Sequence, residues 1–216
     1  RTPELERSWK KNFVRFKNKI SCIPPLDFPS ISKIKKIKKK KGKLHFGSVG
    51  QIRFGKSLHY LNSYFSKNNK YKFSIIGGYA NEKAKYNFSF LNDDFLKSKS
   101  SFLNFKKIIN ESSKLDYIIL LYDKYFDKRN EVSTLYLATK LRIPIICFAN
   151  NNWLHKQLKI FKCGYAIQNF KQFKNFPSRN STKYKSYLNG LIRLDNNILQ
   201  IDKNEKKTLE ILFNEF

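Results

Sequence analysis

Leu115-Asp116-Tyr117-Ile118-Ile119-Leu120-Leu121-Tyr122-Asp123, followed by Asn130-Glu131-Val132-Ser133-Thr134-Leu135-Tyr136-Leu137-Ala138 and then Ile143-Pro144-Ile145-Ile146, is the stretch that decides the fold. Residues 117–122 are apolar or aromatic at every position, so the run has the length of a strand and both of its faces are apolar. Residues 130–142 carry a helical pattern, and 144–148 are a second buried strand. Strand, helix and strand with short joints make a βαβ unit, which requires parallel strands.

The same alternation extends in both directions. Upstream, 44–49 reads as a strand, 50–55 as a loop, and Leu58, Leu61 and Phe65 as the apolar face of a helix. Residues 72–76 form a second strand closed by Gly77-Gly78, and a third short strand is expected near 86–91. Asn92-Asp93-Asp94 then leads into a helix with Phe102, Phe105 and Ile109 on one side, capped by Asp94 or a neighbour. Downstream, 153–162 is a helix using Leu154, Leu158 and Phe161, stopped by Gly164. Two tail helices follow, one carrying Tyr184, Tyr187, Leu188 and Leu191, the other Leu209, Leu212, Phe213 and Phe216. The fold class is α/β: a doubly wound, Rossmann-like parallel sheet of about five or six strands, with ligands expected at the carboxyl ends of the strands.

The chain has 216 residues, 41% hydrophobic and 16% aromatic, enough to bury a core, which excludes disorder as the whole answer. Forty-four Lys and Arg against 16 Asp and Glu give +28, a balance that attracts polyanions. Only eight of the 44 are Arg, and the abundance of Lys, Asn, Ile, Phe and Tyr is what AT-rich coding yields, so part of the basicity is read as solvated surface. Cys22, Cys147 and Cys163 are too few and scattered for a disulfide framework, and none has metal-ligand spacing with His45, His59 or His155. No apolar run approaches the roughly 18 residues of a membrane span. Residues 1–42, with Trp9, Phe13 and Phe16, then Pro24, Pro25 and Pro29, then a lysine-rich run, read as an entry helix and linker from a preceding domain. Residues 43–178 read as the Rossmann-like domain, and 179–216 as helices packing on it.

The loop after the first strand, Gly47-Ser48-Val49-Gly50-Gln51-Ile52-Arg53-Phe54-Gly55-Lys56, suits an anion. Small residues let backbone N–H groups approach it, a helix begins just beyond, and Arg53 and Lys56 are within reach of a diphosphate.

The deciding stretch also resembles a known family. In the C-terminal half of GT-B glycosyltransferases an aspartate precedes a buried strand, which leads through a polar loop to a helix and a strand entered by G-x-P-I-I; here Arg142 or Leu141 stands at the Gly position. In the retaining, nucleotide-sugar-dependent branch of that family, residues 44–56 resemble the strand and Arg/Lys loop that open the donor domain. Residues 71–78 resemble its F-x-I-I-G-x-G strand, 87–92 its V-x-F-L-G strand, 153–166 the helix before x-G-Y-x-I, and 20–25 the I-x-x-I-P-N segment.

The resemblance implies the donor-binding half of a glycosyltransferase that moves a sugar from a nucleotide diphosphate sugar to a glycan or lipid-linked acceptor. Arg53 and Lys56 would stabilise the leaving diphosphate, with no metal and no other cofactor required. Gly50 and the start of the helix at Val132, Ser133 and Thr134 would cradle phosphate, and Leu91 and Asn92 would lie at the nucleobase edge. Seven residues before Pro144 the family carries a glutamate on the donor ribose; here that position is Leu137, and Glu131 would substitute from the loop. The general base, where there is one, belongs to the preceding domain.

Asp116 and Asp123 read as cap and turn residues, His45 as alternating out of its strand, and His155 as a surface or capping residue. Paired carboxylates and a Ser/His/Asp arrangement for hydrolysis are not apparent in the sequence. A cytoplasmic enzyme held peripherally on anionic membrane, with no specific nucleic-acid partner, is the expectation. A basic nucleic-acid-binding or ribosome-associated protein is the alternative, and exposed aromatics among clustered cations would favour it.

Overall fold

The computed structural model describes residues 42–79, 81–97, 104–122, 133–150 and 152–214, with backbone only for 133 and 199–214. The expected helix around Trp9, Phe13 and Phe16, Phe102, Asp123, and the side chains of Leu209, Leu212 and Phe213, together with Phe216, lie outside that description.

Five parallel strands form one sheet in the order β2-β1-β3-β4-β5. They are β1 (His45–Val49), β2 (Lys72–Ile76), β3 (Tyr117–Leu120), β4 (Ile145–Phe148) and β5 (Gly164–Ile167). The helices are α1 (Leu58–Lys67), α2 (Glu82–Asn87), α3 (Phe105–Ser112), α4 (Ser133–Leu141), α5 (Trp153–Phe161) and α6 (Thr182–Asn214). Strand β1, one place in from the β2 edge, pairs with β2 from His45↔Lys72 to Val49↔Ile76, and with the central strand β3 at Phe46↔Tyr117 and Gly47↔Ile118. All four residues of β3 are buried, as its unbroken apolar sequence requires of a strand covered on both faces.

Alternate residues of the strands feed two cores. One face gathers Phe46, Phe73, Ile75, Tyr117 and Ile119 with Leu58, Leu61 and Phe65 of α1, and with Phe173, Phe176, Tyr184 and Tyr187. The other gathers Val49, Ile118, Leu120, Ile145 and Cys147 with Leu135 and Ala138 of α4, Leu154 and Leu158 of α5, and Leu191 and Leu194. Because Tyr184 and Leu191 belong to opposite cores, α6 passes from one face to the other. It does so beneath the amino ends of the strands: Tyr184 Oη donates to the Asp116 carbonyl at 3.1 Å, and Arg142 donates to the Leu191 carbonyl at 3.0 Å.

Arg179 seals that edge. Its Nε and Nη2 each donate to the Asp116 carboxylate at 2.6 Å, and its remaining donors reach the carbonyls of Gly42 and Lys43 at 3.0 and 2.9 Å. Asp116 also accepts from the His45 amide at 2.7 Å, so it ties the beginnings of β1 and β3 to the chain entering α6. The reading of Asp116 as a structural residue is consistent with this position. His45 is not the outward-facing residue expected: its Nε2 is 2.8 Å from Ser74 Oγ, and burial, opposed by Asp116 and reinforced by Lys72 and Lys97, pulls its pKa down to about 4.

Four further expectations are corrected. Residues 86–91 are not a strand: Asn81 caps α2 by accepting from the Ala84 amide, and a turn follows at 88–90. Asp94 does not cap the next α-helix; Asn92 caps the short 3-10 turn Asp93–Phe95, and Asn104 caps α3. Gly164 opens β5, while Lys162, with φ 52°, ends α5. The tail is one continuous helix rather than two.

Candidate functional site

The strand order reverses direction between β1 and β3. In a doubly wound sheet that reversal opens a crevice above the carboxyl ends of the two strands, because their following helices leave for opposite faces. With α6 beneath the amino edge, the carboxyl edge carries the loops.

The loop from Gly50 to Ser57 is built by unusual backbone. Gly50 and Gly55 have φ of 93° and 86°, and Ser57, the residue before α1, has φ 52°. Gly50 donates to the Ile76 carbonyl at 2.9 Å and Ile52 to that of Gly78 at 2.8 Å, so the loop runs on beside the end of β2. The two backbone segments are so close that a Cβ on Gly77 would sit 2.1 Å from the Gly50 carbonyl oxygen. Glycine is required at 77 by that approach and favoured at 50 by the left-handed backbone.

Three residues converge here. A Cβ on Gly50 would lie 3.2 Å from Lys56 Nζ and 3.7 Å from Thr134 Oγ1, which places the lysine tip beside the first turn of α4. Lys56 is buried and donates to the Val49 carbonyl at 3.0 Å. Its burial, with the neighbouring positive charge of Arg53 second, pulls its pKa down from 10.5 to about 7. Arg53 is half-buried on the same loop. An anion entering this corner would meet Lys56, the Arg53 charge, the Thr134 hydroxyl and the positive end of α4 together.

The other expected positions fall as follows. Ser133 begins α4; Glu131 and Val132 lie outside the described residues. Leu91 is buried in the core against α1. The Asn92 amide donates to Asn62 Oδ1 at 2.8 Å, and its own Oδ1 accepts from Asp94 at 3.0 Å, so this residue holds its turn. Leu137 packs in the second core, where a carboxylate would be stripped of water, and this accounts for an apolar residue there. His155 receives its helix cap from Asn152 at 2.7 Å.

Two features were not read from the sequence. The Thr134 hydroxyl, rather than its amide alone, faces Gly50. Phe54, between the two expected phosphate contacts, is 64% exposed with its ring 5.0 Å from that of Phe88. An aromatic residue between Arg53 and Gly55 was the available signal.

Among the described residues there is no group of three His, Cys, Asp or Glu side chains placed to hold a metal, and no helix long and apolar enough to cross a membrane.

No protein-family model and no curated protein sequence matches the chain. Solved structures do. The C-terminal domain of a glycosyl transferase group 1 family protein, LpcC, from Francisella tularensis superposes with TM-score 0.50 at 14% identity, over 69% of this chain and 83% of that one. The N-terminal domain of trehalose-6-phosphate phosphatase from Candida albicans superposes with TM-score 0.50 at 10% identity, over 82% of this chain and 43% of that one. At such identities the likeness concerns the fold: a helix-flanked, five-stranded parallel sheet of the kind that forms the C-terminal domain of a GT-B glycosyltransferase.

Proposed function

We propose that this chain is the donor-binding half of a glycosyltransferase of the retaining, nucleotide-sugar-dependent kind, transferring a sugar from a nucleotide diphosphate sugar to a glycan or lipid-linked acceptor. The observation that carries the reading is the convergence of Gly50, Lys56 and Thr134 at the β1/β3 switch point, with Arg53 on the same loop. The glycosyltransferase-like fold supports it.

When the bond between sugar and diphosphate breaks, negative charge grows on the departing nucleotide. Lys56 and Arg53 would stabilise that charge, and a site shielded from water makes their effect larger than it would be in bulk. The first turn of α4 would hold the phosphate oxygens through its N–H groups and Thr134. Two fixed cations can supply this stabilisation without a metal. Any general base would come from a second domain, and the basic surface would hold the enzyme peripherally against anionic lipid on the cytoplasmic side.

Replacing both Arg53 and Lys56 with Ala should weaken UDP or GDP binding by about 1 to 3 kcal/mol per lost charge-assisted contact. Calorimetry that returned wild-type affinity for the double variant would remove these residues from the site.

A further inference from the structure

From Val132 to Leu194 the chain holds eleven Lys and Arg and no Asp or Glu. That stretch builds α4, β4, α5, β5 and the start of α6. Two of these elements share a core: Leu154 and Leu158 of α5 and Leu191 and Leu194 of α6 are buried together. Their outer sides therefore look away from the same face of the sheet. The helices touch where α6 passes the end of α5. There Arg193 Nη2 donates to the Phe161 carbonyl at 2.8 Å, and a Cβ on Gly190 would lie 2.3 Å from the same oxygen.

Around that contact the surface is cationic and aliphatic at once. Lys156, Lys159, Lys162 and Arg193 are exposed. Ile160, directly before Phe161, is 66% exposed, and Ile192, directly before Arg193, is 43% exposed. Each stands two residues, about 200° of helical turn, from a buried leucine, Leu158 or Leu194, which is why it points outward. Among the described residues these are the two large aliphatic side chains most open to solvent. The carboxylates described on this side are matched by cations already: Glu111 of α3 bonds Lys114 at 2.6 Å, and Asp195 lies 2.8 Å from both Lys140 and Arg142.

A surface of one sign attracts any polyanion, and the isoleucines decide which. A nucleic-acid strand would meet the cations and leave the isoleucines in water. It is also gripped by exposed rings, and on the described parts of these helices Trp153 and Phe161 are half-buried while Tyr184 and Tyr187 are buried. A second copy of the chain would set +28 against +28. An anionic bilayer suits both halves of the surface, with phosphate headgroups against the cations and the acyl boundary around the isoleucines.

We propose that the outer face of α5 and α6 is the surface that docks on anionic lipid, with Ile160 and Ile192 entering the headgroup region among Lys156, Lys159, Lys162 and Arg193. The inference locates the membrane contact of the proposed function and does not depend on the nucleotide. Because α5 leaves β4 at the carboxyl edge, its last turn and the Arg193 contact lie toward the amino edge. A docked bilayer leaves the corner of Lys56 and Thr134 open.

The test is flotation of the full chain with vesicles of phosphatidylcholine alone and with about 30% phosphatidylglycerol, at about 0.1 M salt. Binding is expected to the anionic vesicles only. Ile160→Ser combined with Ile192→Ser should weaken it by about tenfold or more, while poly(U) affinity stays that of wild type. Lys156→Gln, Lys159→Gln and Lys162→Gln together should weaken it by at least about tenfold. Lys67→Gln, Lys83→Gln and Lys85→Gln remove equal charge from α1 and α2, which pack on the opposite core, and should change it by less than about twofold. All these positions are exposed, so the variants should melt as wild type does. No binding to anionic vesicles, wild-type binding by the isoleucine pair, or equal losses from the two lysine triples would overturn the proposal; the last would mean that charge acts from the whole surface. Vesicle binding that follows the variants, with no response to UDP in any of them, would uphold the surface and remove the donor reading; UDP binding without any vesicle binding would do the reverse.

Discussion

Lys56 concentrates the chemistry of the site in one side chain. A buried ammonium must be compensated, and what this one has is the Val49 carbonyl on one side and the repelling charge of Arg53 on another. Its folded pKa of about 7 lies below the ordinary 10.5, so between those values the unfolded chain holds a proton that the folded chain has released. Stability should therefore rise with pH across that window, and below about 7 the full cost of the buried charge remains. Urea unfolding on either side of the window checks this, and Lys56→Met should flatten the rise. A bound phosphate favours the charged form, so nucleotide affinity should run the other way, falling above about pH 7 with proton uptake on binding. Titrations in buffers of different ionisation enthalpy report that uptake directly; the absence of any would mean the lysine does not face the ligand. In the sequence, Lys56 was visible as one of two cations near a glycine-containing loop. Its burial was not visible, because the corner its tip enters is completed by Thr134, 78 residues further along.

At the scale of elements, the loop and β2 form one unit. Gly77→Ala would drive a methyl group into the Gly50 carbonyl, which the ladder bond from Gly50 to Ile76 prevents from moving freely. The expected result is a loss of about 1 to 3 kcal/mol in stability, the usual range for overpacking, and weaker nucleotide binding through displacement of Gly50. Equal losses in a variant that retained full nucleotide affinity would show that the loop does not shape the site. The strands β1 to β4 and helices α1 and α5 were legible because each declares itself locally, by an apolar run or by apolar residues at helical spacing. β5 was missed because Gly164-Tyr165-Ala166-Ile167 is an edge strand with one buried residue in four, and a leading glycine after a helix looks like a stop. Residues 86–91 were misread for an instructive reason. Tyr86, Phe88 and Phe90 alternate like a strand, yet only Phe88 turns inward, and the other two rings face solvent. The alternation belongs to a surface feature rather than to the sheet.

For the molecule as a whole, α6 and Arg179 close one edge of the sheet and leave the other for ligands. Asp116 has no solvent exposure, so removing the guanidinium strands a carboxylate in the interior. Arg179→Met should cost about 3 kcal/mol, the low end for a broken buried pair because the Arg179 side chain is 22% exposed, and Asp116→Asn in the same chain should recover part of it. Chemical denaturation of the single and double variants measures both, and an unaltered midpoint in Arg179→Met would show the clamp to be ornamental. This edge was beyond sequence reasoning, since Gly42, Asp116 and Arg179 meet only through the fold.

The central claim is that the cationic corner at the β1/β3 switch point holds a nucleotide diphosphate sugar. Thermal melts of the full chain against UDP-, GDP-, ADP- and CDP-sugars up to millimolar ligand, beside RNA, at low salt and at about 0.3 M salt, test it most directly. The account predicts a saturable rise in melting temperature with at least one sugar nucleotide that persists at the higher salt, because enclosed phosphate contacts are screened little, and RNA binding that fades steeply. Salt-resistant RNA binding with no response to any sugar nucleotide would contradict it.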